Sequence, residues 1–141
     1  MSEPLKFFSE AWCSTALALR TDEIVAGEYK TVKKPDGFDH ILAFEVIDRP
    51  GLITYLEYKD ARAVGFSATE RPEESRVWVR FRGKLEHFRE AVEGSTSASN
   101  LVMRGGLKLA KGSMTDAVKN AKSMNFIMRN WWGVVPTDWD V

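Results

Sequence analysis

Residues 94–132 read GSTSASNLVMRGGLKLAKGSMTDAVKNAKSMNFIMRNWW. The stretch holds a short helix, a glycine pair, a strand and a long Met-rich helix. Gly94 and Gly105 fall where helix C-termini call for a residue that accepts positive φ. Leu107 and Leu109 flank Lys108, the alternation of a half-buried strand. Gly112 and Ser113 then open a helix, with Ser113 and Asp116 spaced as a capping box. In that helix Met114, Ala117, Val118, Ala121, Met124, Met128 and Trp131 recur at close to 3.6 residues, so one face is apolar. Three methionines on such a face make a soft surface, suited to apolar partners of varied shape. The same stripe also serves as a core face with gap-filling methionines.

Working outward, about residues 3–20 predict a helix, with Leu5, Phe8, Trp12, Ala16 and Leu19 at i+3 or i+4 and Pro4 in its first turn. Lys33-Lys34-Pro35-Asp36-Gly37 breaks the chain. A strand is expected over 38–47, with Phe38, Leu42, Phe44 and Val46 on one face. Two more follow, over 52–58 and 61–69, as an antiparallel meander. A fourth runs from Arg76 to Phe81, with Val77, Val79 and Phe81 on one face and Trp78 stacked by arginines on the other. Leu85, Phe88, Ala91 and Val92 mark a helix that stops at Gly94. With the strand at Leu107 the total is about five.

The order of these features resembles the second half of the sterol carrier protein type 2 family. The residues that carry the likeness are Gly94 closing one helix, the run Gly105-Gly106-Leu107-Lys108-Leu109, Gly112, and the amphipathic helix after it. The likeness extends over residues 8–130. It implies an α+β fold in which a five-stranded, mostly antiparallel sheet is covered by helices and encloses an apolar cavity. It also implies non-covalent binding of a fatty acid, acyl-CoA or sterol. Two features depart from the pattern. An aromatic tail, residues 131–141, follows the last helix, and three of the five tryptophans lie in it. The chain ends in Asp140-Val141 rather than Ser-Lys-Leu, so peroxisomal import by that signal is not expected.

Inward-facing periodicity nominates Phe44, Leu56, Phe88, Leu107, Met114, Val118, Met124 and Met128, with Met103, as the residues that line the cavity. The chain is expected to be a single lipid-binding domain over 1–141, since 141 residues suit one domain. The tail is expected to pack on its own domain, with at least two of Trp131, Trp132 and Trp139 buried. Gly133 should end the Met-rich helix and Pro136 should keep the chain extended. A monomer is the favoured state. A dimer held by the tryptophans is the interaction-module alternative.

Charge and composition narrow the function further. The net charge is zero, which argues against nucleic acid as a partner. Residues 101–130 nonetheless carry six bases against the single acid Asp116. Such a face is either simply solvated or drawn to anionic membrane surfaces and acyl-CoA phosphates. The N-terminus lacks a signal-peptide pattern, and no stretch approaches the roughly 18 apolar residues of a membrane span. A cytoplasmic protein is therefore expected.

No catalytic set emerges. Cys13 is the sole cysteine and has no base placed beside it. His40, His87 and the Glu73-Glu74 pair are the remaining candidates for proton transfer, the rival reading being a small cone-shaped isomerase or dehydratase. Lys111-Gly112-Ser113 has the wrong order for a phosphate loop, and no metal-ligand spacing occurs. Neither a cofactor nor a metal is expected.

Overall fold

The computed structural model describes residues 3–32 and 34–141. Lys33 of the expected breaker loop lies outside the described residues. The elements are β1 (Leu5–Lys6), α1 (Glu10–Ala18), α2 (Asp22–Thr31), β2 (Ile41–Val46), β3 (Ile53–Lys59), β4 (Arg62–Ser67), β5 (Val77–Gly83), α3 (Leu85–Glu93), α4 (Ala98–Arg104) and β6 (Leu107–Lys111). They are followed by α5 (Met114–Lys119), α6 (Ala121–Phe126), a π turn (Ile127–Trp131), a 3-10 turn (Trp132–Val134) and β7 (Thr137–Asp138).

The main sheet has five strands in the order β4-β3-β2-β5-β6. The β2–β3, β3–β4 and β5–β6 pairs are antiparallel, while β2 and β5 run parallel. The expected meander is therefore β2–β3–β4, and β5 enters the sheet on the far side of β2. Strand alternation turns Leu42, Phe44 and Val46 of β2, Leu56 of β3, and Val79 and Phe81 of β5 into one buried cluster with the helices. Gly94 and Gly105 end α3 and α4 at φ 85 and 81, the left-handed conformation expected of them.

Three elements differ from expectation. The first helix starts at Ser9, whose side chain accepts the Trp12 N–H at 3.1 Å, and not near residue 3. Leu5 and Lys6 instead pair in parallel with Thr137 and Asp138. Phe7 and Phe8, with Phe8 at φ 62, turn the chain, and both rings are buried, stacked at 3.9 Å. Between the first helix and the loop lies α2, capped by Thr21.

The third difference is the Met-rich helix, which is not continuous. Asn120 (φ −106, ψ 21) separates α5 from α6. Its Nδ2 donates to the Asp116 carbonyl at 2.9 Å, sharing that acceptor with its own backbone N–H at 3.1 Å. Beyond Phe126 the helix widens, and Trp132 N–H donates to the Ile127 carbonyl five residues back. Gly133 does not end the helix, because the 3-10 turn runs on through Val134. The chain becomes extended at Val135 (φ −82, ψ 124), the residue held in that region by Pro136.

The widening delivers both Trp131 and Trp132 to the core, fully buried. Trp132 meets Phe8, Trp12, Phe44 and Phe66 at centroid distances of 5.3, 5.7, 4.9 and 5.7 Å. Trp131 Nε1 donates to the Ala16 carbonyl at 2.8 Å, so this buried indole is satisfied. Trp12 Nε1 donates to Thr137 Oγ1 at 3.0 Å, tying α1 to the tail. Trp139 is half-buried against Phe7 at 4.4 Å.

Candidate functional site

The amphipathic faces of sheet and helix meet at a narrow apolar crevice. Phe38, Leu42, Tyr58, Trp78, Val79 and Phe81 form the sheet side. Asp116, Ala117, Asn120, Ser123, Met124 and Ile127 form the helical side, on α5, α6 and the start of the π turn. Its volume is about 20 Å³, room for about one water molecule. Phe38, Trp78, Asp116 and Asn120 also border an open vestibule of about 350 Å³, which adds Lys34, Asp36, His40 and Lys119. The crevice thus lies at the inner side of a polar mouth.

The two walls are held differently. α6 is seated firmly, since a Cβ at Gly27 of α2 would come within 2.5 Å of the Phe126 ring. That close approach needs glycine. By contrast α5 has no buried residue, and Met114 and Val118 are 50% and 58% exposed. It touches the crevice through the half-buried Asp116 and Ala117.

A buried polar cluster stands beside the crevice. Tyr58, one of its lining residues, donates its hydroxyl to Oε1 of Glu28 on α2, and both residues are buried. Arg20, at the α1–α2 junction, brings Nη1 to 2.5 Å from Glu28 Oε2. Its guanidinium lies 4.5 Å over the Trp131 ring. Proximity here is not alignment, for neither Arg20 Nη1 nor Glu28 Oε2 has a well-directed hydrogen bond from the described residues. Burial pushes the Glu28 carboxyl up to about 7, with Arg20 pulling the other way.

The candidate proton-transfer groups are placed as follows. His40 stacks on Trp78 at 4.1 Å, and Phe38 meets it edge-on at 4.7 Å. Desolvation lowers its pKa, opposed by Asp39 and Asp116, which favours the neutral ring in the vestibule wall. The stacking partner of Trp78 is therefore His40 and not an arginine; Arg80 lies over Tyr55 instead, at 5.8 Å. His87 borders a separate, open depression with Arg82, Lys84 and Lys108. Burial pushes the Cys13 thiol up, away from thiolate reactivity. Glu73 and Glu74 are exposed, and Glu74 pairs with Arg80 at 2.6 Å.

Of the nine nominated lining residues, Met124 borders the crevice. Phe44, Leu56, Phe88, Leu107 and Met128 lie in the main core, fully buried. Met103 is 78% exposed on α4, and Met114 and Val118 face outward, so these three do not join the others. The lining residues outside the nomination were legible in part. Phe38 and Leu42 share a strand face with Phe44, and Val79 and Phe81 alternate together, so their inward direction follows from the same pattern. Glu28 follows Ile24 by four residues on α2, which puts a carboxylate on the buried face of that helix.

No family model matches the chain, and no curated protein matches it by sequence. Solved structures do match in shape. A conserved hypothetical protein from Thermus thermophilus, described as a candidate sterol carrier protein, superposes with a TM-score of 0.74 at 21% identity, over 97% of this chain and 94% of that one. A crystal structure of sterol carrier protein 2 gives 0.72 at 18% identity, over 92% and 99%. Apo sterol carrier protein 2 from Yarrowia lipolytica gives 0.52 at 18%, over 89% and 98%. The chain therefore has the sterol carrier protein 2 fold.

Proposed function

We propose that this chain binds a lipid-like apolar ligand, of the fatty acid, acyl-CoA or sterol class, between the sheet and the α5–α6 layer. The observation that carries the reading is the apolar crevice whose outer wall, α5, buries none of its own residues. A ligand enters by displacing α5 from the sheet, at little cost in lost packing. Its chain then replaces the contacts between Met124, Ala117 and the strand residues. Each buried methylene gains about 0.8 kcal/mol, so a chain of about a dozen gains roughly 10 kcal/mol gross. Association costs offset about half or more of that, which gives micromolar-class affinity. The names of the fold's structural neighbours, sterol carrier proteins, point the same way.

The mechanism is partition and release, and it requires no covalent step and no cofactor. The unit that binds spans residues 1–141, acts as a monomer and works in the cytoplasm. Lys111, Lys119 and Lys122 lie in or next to α5 in sequence and favour transient contact with an anionic membrane, from which ligand is loaded or to which it is returned. The test is mass spectrometry of the denatured, purified protein for co-purified lipid, with displacement of a neutral fluorescent probe by fatty acids, acyl-CoAs and sterols. A Met124→Trp variant with native circular dichroism should lose probe binding. Absence of binding to the whole panel in the wild type overturns the reading.

A further inference from the structure

The inner edge of the crevice carries unusual chemistry for an apolar site. Tyr58 lines it, and behind Tyr58 sits Glu28, a carboxylate with no exposed surface. Glu28 Oε1 takes the Tyr58 hydroxyl, while Oε2 lacks an aligned donor from the described residues even though Arg20 is 2.5 Å away. A buried acceptor without a directed donor is costly, by about 1–3 kcal/mol or more for a charged group. Arg20 holds that oxygen by charge at short range. Its positive charge is matched by Glu28, so the pair has none to spare for a second anion.

Resting on the proposed ligand site above, we propose that Tyr58 and Glu28 form a head-group subsite that selects apolar ligands bearing a neutral hydroxyl and discriminates against carboxylates. A hydroxyl has one donor and acceptor lone pairs. It accepts from the Tyr58 O–H and donates to Glu28, so it inserts into an existing hydrogen bond and leaves neither its own donor nor its own acceptor unpaired. A carboxylate has no donor to offer. It faces Glu28 as one acceptor against another, and it brings a negative charge into a crevice lined, among the described residues, by the acid Asp116 and no base. A methyl ester likewise accepts from Tyr58 but offers Glu28 nothing. The order expected is therefore alcohol, then ester, then carboxylate. A plain apolar crevice would take the ester at least as well as the alcohol.

The test uses the full chain and a neutral fluorescent probe, Nile red, displaced by dodecanol, methyl dodecanoate or dodecanoate at about pH 8, where both carboxyls are ionised. The wild type should prefer dodecanol to the ester by about tenfold, the worth of one hydrogen bond to a charged group. In Glu28→Gln, whose amide can donate, dodecanoate should gain on dodecanol by about tenfold. Tyr58→Phe removes the donor that the hydroxyl needs while keeping the Arg20–Glu28 pair, and should erode the alcohol preference by about threefold or more. It serves alone if Glu28→Gln does not fold. An alcohol bound no better than the ester overturns the proposal, as does an alcohol-to-carboxylate ratio unchanged in whichever variants fold. Failure of all three compounds to displace the probe overturns the ligand site itself.

Discussion

Two parts of one amphipathic run end up in opposite states. At its start, α5 exposes Met114 and Val118 and buries none of its residues. At its end, the π turn and the residue after it bury Ile127, Met128, Trp131 and Trp132 almost completely. Both stretches show the same apolar periodicity, so periodicity alone does not tell an anchor from a flap. What separates them is what stands opposite. The π turn faces α1, Phe44 and Phe66, which close an aromatic cluster around Trp132. α5 faces the crevice, where Asp116 and Ala117 are its points of contact. The fold thus fastens one end of the segment and leaves the other lightly packed, which is what entry of the proposed ligand would demand.

The largest expected effect falls on the anchored end. Trp132→Ala should cost about 3–5 kcal/mol, because it empties the centre of the aromatic cluster. Urea unfolding with an unchanged m-value would measure it, and a loss below about 1 kcal/mol would contradict the packing described. Deleting residues 134–141 should come next. It removes buried Val135, the β1–β7 pairing and the Trp12–Thr137 hydrogen bond, for a loss on the order of 3 kcal/mol. The truncated chain should remain monomeric in sedimentation. A dimer that dissociates on truncation would instead favour a role for the tail between subunits.

Much of this contrast could be foreseen, and part of it could not. The strands, the α3 and α4 stops and the Ser113 cap follow from local rules, because alternation and left-handed glycines act within a few residues. The break at Asn120 was not legible, since an Asn within a helical pattern is compatible with helix and carries no local signal of where the chain bends. Leu5, Phe8 and Trp12 mimic a helical stripe, yet Leu5 belongs to a strand whose partner lies at the other end of the chain. No local rule reports such a pairing. Met103 fits an inward helical face by spacing, but α4 has seven residues and turns Ala98 and Leu101 inward instead. Glu28 was the least legible site residue, because a carboxylate usually signals a solvated position and its partners Arg20 and Tyr58 come from other elements.

The Glu28 cluster gives a pH dependence of intermediate size. The folded value of about 7 lies above the ordinary 4.5, so the folded state holds this proton more tightly. The associated stability is complete below about 4.5 and is lost as pH rises through 7, an effect of roughly 2–3 kcal/mol at most. Glu10 acts oppositely: hydrogen bonds from Thr69, Ser67 and Ala68 lower its pKa, so its contribution is lost as pH falls. The melting temperature of the wild type should therefore decline as pH rises through about 7, by about a few degrees or more, while Glu28→Gln should lose that decline and keep only the rise that His40, with its lowered pKa, gives as pH approaches 6.5. Parallel curves for the two proteins would remove Glu28 as the cause.

The smallest expected effect belongs to the free end. Met114→Ala and Val118→Ala should each change stability by less than about 0.5 kcal/mol, as exposed positions do. Amide exchange in α5 should be much faster than in α3, and comparable protection of the two helices would mean that α5 is no flap.

The most direct test of the ligand site uses the methionine methyl groups as reporters. NMR spectra of methyl-labelled protein, titrated with dodecanol, should show a large saturable shift for Met124 at the crevice wall and a smaller one for Met114 as α5 moves. Met103, out on α4, should not respond. A shift at Met103 with Met124 unchanged, at saturating dodecanol, would contradict a ligand site between the sheet and the α5–α6 layer.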